Sequence, residues 1–238
     1  MDRPRRGVAV KVFGEYACFS RPEFKVERVS YPVVTPSAAR GILEAIFWKP
    51  EFRYEIREID VLKLGTQVSI LRNEIADRQS QRPIMIEKNR QQRTSLILKD
   101  VEYVIRAELA LRKPGAEAGG YLDQFNRRIE AGQCHHRPCL GTREFAAAFE
   151  PASSDDCGER RNPQLTMHLG NMLFEIAYVE DRGNKKGELE FWKGWDKSRR
   201  LARGSAVALS FDGWIKGGVL SVPREEYDRL YAMEDGHA

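Results

Sequence analysis

Apolar and polar positions alternate through "GVAVKVFGEYACFS", a stretch rich in valine and aromatics, and this two-residue period predicts a strand over about 7–14. The pattern then changes. In "TPSAARGILEAIFWKP" the apolar residues Ala39, Ile42, Leu43 and Ile46 recur at helical spacing, Thr35 is placed to cap, and Pro36 takes the first helical position. Pro50 ends the helix and biases Lys49 toward extended geometry. "FRYEIREIDVLKL" (52–64) alternates as a half-buried strand. Residues 65–93 are polar and mixed in sign, an excursion from the sheet that suits a β-hairpin arm. "TSLILKDVEYVIRAELALR" (94–112) returns as one strand or a bent pair, "LDQFNRRIEAG" (122–132) is a short amphipathic helix that Gly132 can end, and "TREFAAAFE" (142–150) is a further strand.

A strand, a helix and a strand, followed by strand, helix and strand, is the order of a ferredoxin-like α+β unit. That unit is placed at residues 1–150. After Pro151 the polar "PASSDDCGERRNPQ" marks a boundary, and "GNMLFEIAYVED" and "GGVLSVP" predict strands of a smaller sheet within 151–238. Between them lies the basic "NKKGELEFWKGWDKSRRLAR". No internal repeat, heptad or low-complexity tract is present.

Composition narrows the function. Across 238 residues, 42% are hydrophobic, enough for a real core, and 31% are charged with a net charge of +4. The balance permits an anionic partner without demanding one. No run approaches a membrane span, and "MDRPRRGVAVKVFGEY" lacks the apolar region of a signal peptide, so a cytoplasmic protein without membrane contact is expected. Four irregularly spaced cysteines make no disulfide framework.

"GQCHHRPCLGTREF" (132–145) holds two of the four cysteines and two of the four histidines. Zinc normally needs four ligands in two close pairs; Cys134 and Cys139 have no second pair, and Cys18 and Cys157 have no partner spacing. No metal is expected, and these groups read as packing or contact residues. Phosphate-loop, dinucleotide-binding, hydrolase-elbow and zinc-protease motifs are all lacking, so no cofactor is expected. The basic clusters carry more. In "NRQQR" (89–93) amides stand among guanidiniums, a mixture suited to neutralising phosphates and reading the exposed edges of a single strand.

Three blocks resemble one family: "GEYACFSRPEFKVERVSYPVVTPSAARGILEAIFWKP" (14–50), "NRQQR" with "LKDVEYVIRAEL" (98–109), and "FNRRIEAGQCHHRPCLGTREF" (125–145). It is the Cas-five-d family of subtype I-C CRISPR systems, within the RAMP superfamily. The resemblance implies a ferredoxin-like (RRM-like) N-terminal domain with a protruding β-hairpin and a small C-terminal antiparallel sheet. Residues 180–210 look like an expansion. It also implies a grip on the repeat-derived 5′ handle of CRISPR RNA and a place in the Cascade surveillance complex beside its backbone and large subunits, with target DNA in the assembled complex. Members cut precursor CRISPR RNA without metal, through attack of a ribose 2′-hydroxyl on the adjacent phosphate.

Such chemistry needs a base, an acid and a cation. The family's usual set is a tyrosine in the motif that ends the first helix and a Lys-His pair opening the later one. Here these positions hold Phe47, Gly120 and Tyr121. Phe47 and Gly120 carry neither proton nor charge, and Tyr121, with an ordinary phenol pKa near 10, is a poor base at neutral pH. The candidate catalytic residues are therefore Tyr121 and His136, with His135 as another base and Lys49, Lys113 or Arg128 as cation. The candidate RNA-binding residues are Arg21, Lys25, Arg28, Arg40, Lys49, Arg90, Gln91, Gln92, Arg93, Arg127, Arg128 and Arg143. Two readings stay open: a processing endoribonuclease, or a cap that holds the 5′ handle while another nuclease cuts.

Overall fold

The computed structural model describes residues 7–24, 26–77, 83–113, 115–153, 156, 161–181, 189–194 and 196–236. Strand β1 (Gly7–Ala17) buries Val8, Val10 and Val12 on one face, as its alternation demands. Helix α1 (Pro36–Ile46) starts where Thr35 Oγ1 accepts from the Ala38 amide at 3.2 Å, and it buries Ala39, Ile42, Leu43 and Ile46. It stops at Phe47, whose backbone is extended.

Strands β2 (Phe52–Lys63) and β3 (Thr66–Ile75) run along the same side of β4 (Arg90–Leu111), which a short helix α2 (Ile86–Asn89) precedes. β2 pairs with 102–111 and β3 with 90–99, so the three strands form one long bent ribbon. The bend falls at Gly65 (φ +82°) and Asp100 (φ +59°). A Cβ on Gly65 would lie 2.7 Å from Val101 Cγ1 and 3.0 Å from the Lys99 carbonyl, which is why glycine stands there. Residues 94–112 are thus the continuation of one strand with a kink, and the hydrophobic pattern alone did not distinguish this from a strand pair.

Helix α3 (Gly119–Glu130) and strand β5 (Ala148–Pro151) follow. The expected strand over 142–150 is shorter than its pattern suggested. Leu140 N–H donates to the Phe145 carbonyl at 2.7 Å and Phe145 N–H to that of Thr142 at 3.1 Å, so 142–145 folds as a turn. Beyond it come β6 (Met167–Glu180), β7 (Leu189–Lys193), β8 (Arg200–Lys216), β9 (Val219–Ser221) and helix α4 (Arg224–Asp235). Sequence patterning missed α4. Only Tyr227 and Leu230 are buried, so its apolar stripe is thin, though Glu225 and Glu226 in the first turn and Gly236 beyond its end are helix signals.

The structure is α+β, with an antiparallel sheet ordered β5-β1-β4-β2-β9-β8-β6; β3 adds to β4 and β7 to β8. Three residues of β9 join the two halves by pairing with both β2 and β8. The sheet wraps α1 between β2 and β6. At that seam Arg40 of α1 grips Glu175 of β6 through Nε and Nη2 at 2.7 and 3.0 Å, while Arg53 of β2 lies 3.6 Å from the same carboxylate. Tyr31 Oη accepts from the Leu173 amide at 3.2 Å and donates to the Asn171 carbonyl at 3.4 Å, tying the first segment to β6. Tyr227 Oη accepts from Ile56 N–H at 2.6 Å and fixes α4 against β2. Among the described residues no helix is long and apolar enough to cross a membrane.

Candidate functional site

The last turn of a helix leaves carbonyls without intrahelical partners. At the end of α1 three successive carbonyls, of Ala45, Ile46 and Phe47, find partners. Ala45 O accepts the amides of both His135 (2.9 Å) and His136 (3.0 Å). Ile46 O accepts Arg128 Nη1 at 2.7 Å, and Phe47 O accepts Tyr54 Oη at 2.9 Å. Burial pushes the Tyr54 phenol far above its ordinary range, with Glu44 adding to the effect, so it stays a donor. The guanidinium of Arg128 also lies 5.2 Å from the centre of the buried Phe47 ring, and its charge suits the negative end of the helix.

These bonds dock the loop after α3 onto the end of α1. Because backbone amides do the docking, both imidazoles remain exposed, their rings 4.3 Å apart. Exposed Trp48 and Lys49 leave the same helix end. Tyr121 enters from the first turn of α3: its half-buried ring lies 5.2 Å from Phe52, which lies 5.8 Å from Phe47. Beside it, Gly119 and Gly120 face open space. One end of the molecule therefore gathers two titratable imidazoles, a phenol, a guanidinium and an ammonium. Imidazole is the group among these whose ordinary pKa lies near neutrality.

The loop is held from its other side by Gly141. With φ +89°, a Cβ there would lie 2.0 Å from the Cys18 carbonyl oxygen, so backbone meets backbone, as expected of a glycine placed for tight approach. Gly141→Ala is expected to lower stability by at least about 2 kcal/mol, read as a fall in the urea midpoint with unchanged slope. Cys134 is exposed and Cys139 Sγ lies 3.8 Å from the Gly141 carbonyl. Among the described residues no three His, Cys, Asp or Glu side chains converge as metal ligands; Cys157 lies outside them.

The RNA-binding candidates separate. Arg127 and Arg143 are exposed near this loop, although Arg127 Nε makes a long bond of 3.4 Å to the Asp123 carbonyl. Arg40 must be removed from the set. Its guanidinium is committed to Glu175 and, at 2.7 Å, to Glu44, so it serves packing. Arg21 lies over the Tyr31 ring at 4.4 Å. Lys25 lies outside the described residues.

"NRQQR" does not act as one cluster. Alternation along β4 puts Arg90 and Gln92 on one face of the arm and Gln91 and Arg93 on the other. Arg93 meets Glu74 at 3.4 Å and Gln91 Oε1 at 2.8 Å; Arg28 also reaches Glu74 (3.8 Å) and Glu144 (3.7 Å). Arg90 and Gln92 are exposed on the opposite face.

Sequence reasoning also passed over a groove of about 840 Å³ lined by Lys11, Lys63 and Lys99 of the sheet and Arg137 of the loop after α3. Two of its cations have acidic partners: Lys11 meets Glu150 at 2.5 Å and Asp156 at 3.2 Å, and Lys63 meets Asp100 at 3.3 Å.

The family of CRISPR-associated proteins designated Cas_Cas5d matches residues 7–195. A Thermus thermophilus protein named CRISPR pre-crRNA endoribonuclease Cas5d is 55% identical over 230 residues, covering 96% of each chain. A protein of the same name from Mannheimia succiniciproducens is 40% identical over 197 residues, 74% of this chain and 87% of that one. A crystal structure of a CRISPR-associated protein, 21% identical, superposes with a TM-score of 0.61 over 92% of each chain, which speaks to the fold.

Proposed function

Since the chain belongs to the CRISPR-associated Cas5d family, we propose that it binds CRISPR RNA in a type I-C-like Cascade complex, cuts the precursor within the repeat and retains the 5′ handle. The observation that carries this reading is the double amide bond to Ala45 O, which presents His135 and His136 to solvent beside Arg128, Trp48 and Lys49. The near full-length relative named as a pre-crRNA endoribonuclease supports the reaction. The order β5-β1-β4-β2, with α1 and α3 in its connections, supports a ferredoxin-like unit over residues 1–150 as the RNA-binding part, and 151–238 as a second part joined through β9.

In the proposed step the ribose 2′-oxygen bonds to phosphorus and the bond from phosphorus to the 5′-oxygen breaks. His136 takes the 2′-hydroxyl proton, a second proton goes to the leaving 5′-oxygen from His135 or Tyr121, and Arg128 or Lys49 balances the phosphorane charge. The products are a 2′,3′-cyclic phosphate and a 5′-hydroxyl. Arg127 and Arg143 would hold flanking phosphates, with Arg90 and Gln92 on one face of the arm, Gln91, Arg93 and Arg28 on the other, and Arg21 beside Tyr31. Backbone and large Cascade subunits are the protein partners, in the cytoplasm, with target DNA in the assembled complex.

A specific observation favours a second reading. Phe47 is buried without a hydroxyl and Gly120 has no side chain, so the chain departs from its family's usual groups where it would act as a non-cleaving cap. Repeat RNA incubated with the protein in excess chelator separates the two. Cutting at one position, abolished by a single 2′-deoxy substitution there, is expected. Tight, repeat-selective binding without cutting would leave the cap, and binding no better than to unrelated RNA would remove both.

A further inference from the structure

β7 and β8 form a two-stranded ribbon at the far end of the sheet, and its faces differ. Cross-strand partners share a face, so Phe191 with Ala202 and Lys193 with Arg200 lie on one side, and Glu190 with Arg203 and Trp192 with Leu201 on the other. The first side is anchored. Lys193 Nζ donates to the Glu234 carbonyl at 2.8 Å and lies 3.4 Å from Glu180; Arg200 meets that carboxylate at 2.6 Å; Phe191 lies 5.4 Å from the Tyr178 ring. The Arg200 hydrogen bond, opposed by burial and joined by Lys193, holds the Glu180 carboxyl at about 2, so the anchor stays charged.

The second side is open. Trp192 is 60% exposed and Leu201, directly opposite, 51%. Arg199 lies over the indole at 4.6 Å. Glu190 is taken by Arg203 at 2.6 Å, and among the described residues neither Lys197 nor Arg199 has a carboxylate partner. An exposed Trp–Leu strip with the Arg199 guanidinium against it complements an anionic chain that carries exposed planar rings. A duplex hides its rings; an unpaired strand offers them.

We propose that this outer face is a second nucleic-acid contact, where Trp192 stacks a base of an unpaired strand and Arg199 and Lys197 meet its phosphates. The site lies in the other half of the chain from the imidazole loop and does not depend on the repeat-RNA reading. The test uses the full chain with two unstructured probes, a thymidine and a uridine oligonucleotide, and repeat RNA as a separate arm. Trp192→Ala is expected to weaken binding of one or both probes at least about fivefold, with Trp192→Phe retaining most of it. Arg199→Ala is expected to lower the salt slope by about 0.7. The probe that loses affinity identifies the strand. Unchanged probe binding in both variants, or none by the unaltered protein, would overturn the proposal and leave the strip to a protein partner. Cleavage of repeat RNA at saturating protein is expected to be unchanged by Trp192→Ala, so failure here is distinguishable from failure at α1.

Discussion

His136→Ala is expected to slow cleavage of repeat RNA by about 10²–10⁴-fold, the usual loss when a positioned acid or base is removed, with little change in affinity. The backbone supports this separation of rate from binding. Ala45 O receives the amide of His136, so an alanine leaves the loop docked and removes the imidazole alone. In the proposed reading affinity rests instead on phosphate contacts of Arg127, Arg143 and the arm. Single-turnover rates with fluorescence polarisation on the same RNA check both halves. His135→Ala, made in parallel, shows which imidazole is the base; a full rate in both single variants and in their combination would leave no proton carrier at this helix end except Tyr121.

The largest expected loss of stability is at the seam between the two halves. Glu175 is fully buried and answers two guanidiniums, Arg40 and Arg53. Glu175→Ala removes the shared anion and leaves two cations facing a void, a change that typically costs about 3–5 kcal/mol, a large part of a domain's whole margin. Arg40 keeps Glu44, and Arg53 keeps Glu234 at 3.0 Å, so neither is wholly abandoned. Denaturant unfolding measures the loss. Arg40→Met is expected to cost less, because Glu175 then still has Arg53. The same comparison checks the reassignment of Arg40 from RNA to packing: its loss is expected to lower stability without changing the salt dependence of RNA binding.

Much of this architecture is legible in the residues because the local signals agree. Thr35, Pro36 and the spacing from Ala39 to Ile46 mark α1 at both ends, and Val8, Val10 and Val12 mark β1. What could not be read is non-local. Nothing in 94–112 states that β2 and β3 lie along one side of it, because Gly65 and Asp100 bend together only once the ribbon is paired. "NRQQR" looked like one basic cluster until β4 fixed its register and alternation divided it. Arg40 looked like a surface cation because its partner, Glu175, is 135 residues away. Of the candidate site, the imidazoles were visible as a motif, but the bond from their amides to Ala45 was not. The carbonyls of a helix end carry no sequence signal for what will cap them from a distant loop. The C-terminal helix was missed for the opposite reason: its signals are local, but with only Tyr227 and Leu230 buried they are weak.

Crosslinking most directly tests whether the end of α1 is where the RNA strand is cut. A repeat RNA carrying one photoreactive nucleotide next to the scissile phosphate, with its 2′-hydroxyl there removed to hold the complex intact, is bound, irradiated and mapped by peptide. Crosslinks to peptides spanning 46–50 or 132–145 are expected. Crosslinks confined to other parts of the sheet, such as the groove around Lys11 and Lys63, would contradict the placement.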